Sequence, residues 1–245
     1  MSLCPLLGRK QARRSSGDAG IMPGMTSSYR STAPSDFAST ASPAATSAKA
    51  SPAAPVTPQS VLDFWFNEST VKRWFTGGVE LDDEIRREFG TQVTLAQSGG
   101  LAEWEADPQS RLALVIVLDQ FSRNIFRGKS KAFAGDERAQ QLVTDALARG
   151  FDAELPWMGR VFLYMPLMHA ESLALQEESV KRFTALEAAV PDDLRASAQS
   201  SLDYARQHRD IIARLGRFPY RNSALGRTNT ALEFDFLKNG PRFGQ

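Results

Sequence analysis

The chain predicts an all-α fold, an array of antiparallel helix pairs. Apolar residues recur at helical spacing, as in Leu81, Ile85, Phe89 and Val93, and no strand-like alternation of useful length appears. Helix starts are written as a capping residue followed by proline, at Thr57-Pro58 and Asp107-Pro108. Helix stops are written as glycine, at Gly99-Gly100, Gly150 and Gly216. The connections between these signals are short, which suits antiparallel neighbours. No period of about 34 residues is visible, so self-similarity does not point to a repeat array.

Taken in order, Thr57 caps a first helix whose apolar surface is Val61, Leu62, Phe64, Trp65 and Phe66, and Gly77-Gly78 interrupts the chain after it. Residues 82–95 form an amphipathic helix. Asp107-Pro108 opens Leu112 to Leu118, which is apolar on every side and reads as the central buried helix. An abrupt polar turn, Asp119-Gln120-Phe121-Ser122-Arg123-Asn124, should end it. A further amphipathic helix runs from Asp136 to Arg149. Pro156 starts the next, which Pro166 should kink or split before His169. Long helices are expected over 171–189 and 192–214, and Thr230 caps a last short one over 231–237.

Residues 1–56 are rich in Ser, Ala, Thr, Pro and Gly and cannot bury enough apolar surface to offset their ordering entropy. They are expected to be a disordered tail, with one domain over 57–245. The tail carries six bases and two acids, so of the chain's net charge of +1 the body keeps −3. A mildly acidic body argues against nucleic acid as a partner. An Arg- and Ser-rich, acid-poor tail has the composition of an organelle transit peptide, which would send the protein to a mitochondrion or plastid. A plain extension, or a start at Met22 or Met25, leaves it cytoplasmic. The one cysteine, Cys4, lies in the tail, which excludes a disulfide, a thiol nucleophile or a cysteine-rich metal site in the body. No run approaches the ~20 apolar residues of a membrane span, so the chain reads as soluble.

Chemistry concentrates in three places. In 119–127, Asp119 can pair with Arg123 and Gln120 with Asn124, while Arg123 and Arg127 share a helix face. An exposed pair of this kind contributes only ~0.3–0.5 kcal/mol; at the edge of a cavity the same groups need partners or a ligand. His169 and Glu171 are two positions apart, which is not a metal spacing, and no metal is expected. Between Arg206 and Arg227 lie six arginines and one acid, Asp210, which can meet Arg206 or Arg214. Arg217 and Arg221, either side of rigid Phe218-Pro219, are left least matched. They suit bidentate capture of a phosphate or carboxylate, or equally the tying of a loop to helix C-termini.

The segments LDFWF (62–66), LVIVLDQFSRNIFRG (114–128), FLYMPLMHAESLALQEES (162–179), HRDIIARLGRFPYRNSALGR (208–227) and the terminal FLKNGPRFGQ resemble the DUF924 family, a domain of unknown function. The resemblance spans about 57–245 with the motifs in order. It implies a tetratricopeptide-like helical fold and carries no established activity or cofactor. The family's usual pattern has proline, serine and histidine where this chain has Ser122, Ala170 and Tyr220. A mechanism that needs that hydroxyl or a third imidazole does not transfer.

Polar residues recurring in three segments converge if the helices form a concave array. The expectation is a pocket for a small anionic ligand, held by Arg123, Arg217 and Arg221 and lined by Asp119, Gln120, Asn124, Arg127 and Asn222. His169, Glu171 and His208 would transfer protons, with hydrolysis as the simplest reaction. The alternative is a tetratricopeptide-like scaffold that grips an acidic peptide or protein partner.

Overall fold

A computed structural model describes residues 55–74, 78–241 and 243, and among them it is all helical. The expected tail with its targeting composition, Cys4 and Gly77 lie outside the described residues. α1 (Pro58–Phe66) starts at Thr57, whose side chain and that of Ser60 cap each other's backbone N–H groups. A single turn, α2 (Glu68–Val71), leads towards α3 (Gly78–Gln97). Asp107 caps α4 (Pro108–Ile116) by accepting from the N–H groups of Gln109 and Ser110.

The central helix does not stop at Asp119. It continues through a π-helical turn, Val117–Phe121, into α5 (Ser122–Ile125). The wider turn is held by the Ser122 hydroxyl, which donates to the Val117 carbonyl at 3.3 Å and accepts from Gln97 at 2.9 Å. Such insertions re-aim side chains without ending the helix, and they concentrate at functional positions. Here the polar residues at 119–124 stay on a helix whose preceding turns, Leu112 to Leu118, are almost fully buried.

α6 (Asp136–Ala148) and α7 (Trp157–Met168) follow. Pro166 lies inside α7 and does not split it. It falls in the last turn, so little ladder is lost beyond it, and the His169 N–H still donates to the Met165 carbonyl at 2.9 Å. α8 (Leu173–Ala189) begins two residues later than its sequence suggested. Together with α9 (Asp192–Leu215) it forms a hairpin joined only by Val190-Pro191. Gly216, at φ +72°, ends α9 in the left-handed conformation that glycine adopts without strain. A tight turn, Pro219–Arg221, then leads to α10 (Ala231–Asn239), which Thr230 and Glu233 cap reciprocally.

The main core is aromatic where α1, α3, α4 and α7 meet. Trp65 packs on Trp74, Phe121 and Phe162 with ring centroids 5.4–5.7 Å apart, and the Trp74 indole N–H donates to the Trp65 carbonyl. A smaller cluster, Ile211, Ile212 and Phe218, carries Leu215, Tyr220, Phe236 and Phe243 on its flank. The polar residues of interest lie between the two.

Candidate functional site

Asp119 sits in the π turn, 1% exposed, and three side chains converge on it. His169 caps the C-terminus of α7 and places Nδ1 2.8 and 3.0 Å from the two carboxylate oxygens. Arg123 forms an ion pair at 2.8 Å, and Gln120 donates its Nε2 at 2.6 Å. Burial by itself would raise the Asp119 carboxyl, but Arg123 and His169 together hold it well below the usual carboxylate range. An ionised carboxylate only accepts, so His169 Nδ1 carries the proton and Nε2 keeps its lone pair. Burial also holds His169 below its ordinary value, against the pull of Asp119, so the imidazole is neutral near pH 7. The result is a neutral histidine with a fixed tautomer beside a fixed negative charge, the arrangement an oriented general base requires.

Gln176, fully buried on α8, donates to the carbonyls of Met168 and Ala170 at 2.6 and 2.7 Å. It clamps the turn that carries His169. Its sequence context, a glutamine among glutamates, offered no signal.

Asp136, at the start of α6, supplies a second acid. Its carboxylate pairs with Arg123 at 3.0 Å and accepts a longer bond from Arg221 at 3.4 Å. Gly135 brings it there: a Cβ on that glycine would lie 2.7 Å from the Leu118 carbonyl oxygen. Asp136 read as a helix-start residue, and only the packing of α6 on the π turn makes it a partner of the arginines.

Arg221 is 4% exposed and poorly matched. Nε meets no acceptor among the described residues, and the bond to Asp136 is the long one. Its guanidinium lies against the rings of Phe133 and Phe218, 4.8 and 4.5 Å from their centroids. Burial and the neighbouring Arg123 push its pKa below the ordinary arginine value.

His208 stands across from His169 with ring centroids 6.0 Å apart. Its Nδ1–H donates to the Tyr204 carbonyl at 2.8 Å, which leaves Nε2 as an acceptor. Burial first, and then His169, push its pKa down to about 3. Tyr220 stacks on Phe218, and burial raises its phenol.

The other predicted residues join elements of the fold. Asn124 and Arg127 both bond Asp82 of α3, at 2.8 and 2.8–2.9 Å; Gln120 and Asn124 do not pair, since Gln120 donates to Asp119 and Asn124 to Asp82. Arg217 is not unmatched: Glu233, sixteen residues on, returns on α10 and accepts at 2.5 and 2.9 Å. Arg217 and the capping bonds hold the Glu233 carboxyl down at about 2. Glu171 accepts from the Phe218 N–H at 2.8 Å and pairs with Arg227 at 2.6 Å. Asn222 bonds Asn229 and Arg227. Asp210 meets neither Arg206 nor Arg214 but its neighbour Arg209, at 2.7 Å. The predicted set thus divides into an inner group (Asp119, Gln120, Arg123, His169, His208 and Arg221) and an outer group that ties α3, α10 and the 217–229 loop in place.

Among the described residues no three His, Cys, Asp or Glu side chains gather as metal ligands, and no helix is long and apolar enough to cross a membrane. Among curated proteins, none matches the chain. A solved structure of a protein of unknown function, ATU0120 from Agrobacterium tumefaciens, is similar: 33% identical over 75% of this chain and 97% of that one, with a TM-score of 0.66. A family model described as a bacterial protein of unknown function (DUF924) matches residues 61–241. The chain belongs to the DUF924 family.

Proposed function

We propose that the inner group binds a small anionic ligand and that the Asp119–His169 pair moves a proton on it, as a hydrolase would. The observation that carries this reading is Arg221: a residue 4% exposed that, among the described residues, makes one long hydrogen bond and has an Nε that meets no acceptor. A buried charge in that state costs free energy unless something completes it. An anion does so, and it would lie near His169, whose Nε2 lone pair is free to accept a proton. Arg123 supports the reading differently from the sequence expectation. Its Nε also meets no acceptor among the described residues, but close ion pairs to Asp119 and Asp136 at 2.8 and 3.0 Å hold it, so we assign it the positioning of the two acids and give Arg221 the ligand.

Native mass spectrometry of the freshly purified full chain, compared with its denatured mass, tests this. A retained small acid that is absent from Arg221→Gln and present in Arg217→Ala supports the reading. Equal retention in both variants, or a ligand with no acidic group, refutes it.

A further inference from the structure

The chain has two histidines, and both border this site. One face of His208 is stacked on Phe243, with centroids 3.8 Å apart and planes 23° from parallel. Phe218 stands edge-on to His208 at 5.6 Å, while Tyr204 and Tyr220 reach the Phe243 ring at 6.0 and 6.1 Å. The slot on His208 is therefore walled by rings, and a ring fills it. Phe243 holds its place at φ +48°, a left-handed backbone that is unfavourable for any residue with a Cβ. That strain makes it a displaceable occupant.

Phe218 connects this slot to Arg221, because the same ring lies close to both His208 and the guanidinium, at 5.6 and 4.5 Å. The Arg221 guanidinium carbon lies over both phenylalanine rings and its Nη1 donates to Asp136, which leaves Nε, without an acceptor among the described residues, to offer to an oxygen of a planar acid. Charge balance restricts the acid further. Asp119 and Asp136 offset Arg123 and Arg221, and both imidazoles are neutral, so the site tolerates one added negative charge far better than two.

We infer that the ligand is an aromatic monocarboxylate, its ring replacing Phe243 on the face of His208 and its carboxylate closing the open edge of Arg221. The inference rests on the anion-site reading above and narrows it to one chemical class. It also gives Phe243 a role: the side chain keeps the slot dry and competes with the ligand for it.

The test uses the full chain, labelled with 15N on histidine, so that two imidazoles report on the site. Benzoate, cyclohexanecarboxylate, acetate and inorganic phosphate are titrated in turn. Benzoate should shift the His208 signals most, and Phe243→Ala should tighten it by at least about tenfold, since the competitor is gone. Arg221→Gln should abolish the shift. Should that variant fail to fold, the ring dependence and the Phe243→Ala arm still decide, because Phe243 lies on the flank of the smaller cluster and not in the main core. If acetate or phosphate binds as tightly as benzoate, cyclohexanecarboxylate equals it, or Phe243→Ala changes nothing, the aromatic class is overturned while the anion site stands. If no probe moves either histidine in wild type or Phe243→Ala, both readings fall.

Discussion

Acidification from pH 7.5 to 5.0 should cost this fold roughly 2 kcal/mol through His208 alone. The folded pKa of His208 is about 3 against an ordinary 6.5, and the causes are burial and the neighbouring His169, with Arg221 and Arg123 adding to them. The Tyr204 carbonyl opposes the shift and does not reverse it. The unfolded chain therefore takes up a proton first. Stability is complete above about pH 6.5 and is lost as pH falls toward 3, to a total of roughly 5 kcal/mol. At pH 5 the folded ring is still neutral while the unfolded one is charged, which gives the smaller figure. The assay is urea unfolding of wild type and His208→Gln at both pH values. His169 and the carboxylates titrate in both proteins, so the difference between the two pH-dependent losses isolates His208. Equal losses within about 0.5 kcal/mol, or a His208 resonance that titrates near pH 6.5, would refute the assignment of a buried neutral imidazole.

Asp119→Asn should destabilise the protein by about 3 kcal/mol in denaturant unfolding, because it leaves Arg123 and Arg221 buried over Asp136 alone. A loss below about 1 kcal/mol would mean that water reaches the cluster. Two glycines should behave oppositely in thermal melts. Gly135→Ala drives a Cβ to 2.7 Å from a backbone oxygen and should cost about 1–3 kcal/mol. Gly90→Ala, inside α3 with its nearest contact at 3.9 Å, should gain roughly 0.5–1 kcal/mol.

Much of the architecture is legible in the residues alone. Caps at Thr57, Asp107 and Thr230 and the glycine stop at Gly216 are local chemistry, decided within one turn of the chain, and each lies where its spacing predicts. Leu112 to Leu118 reads as buried because no solvated face exists on it, and the Asp107-Pro108 start makes it a helix. The pairing of Asp119 with Arg123 follows from the same short range. Which charges meet across the fold does not. The sequence around Arg217 and Arg221 treats them as equals, two arginines flanking Phe218-Pro219. Only the return of α10 satisfies Arg217 with Glu233, and only the close approach of α6 at Gly135 brings Asp136 near Arg221 without completing it. Local spacing settles helices because their hydrogen bonds close over four residues. It cannot settle which buried charge lacks a partner, because that depends on which side chains lie within a few ångströms of it, brought from helices up to 85 residues apart in the chain.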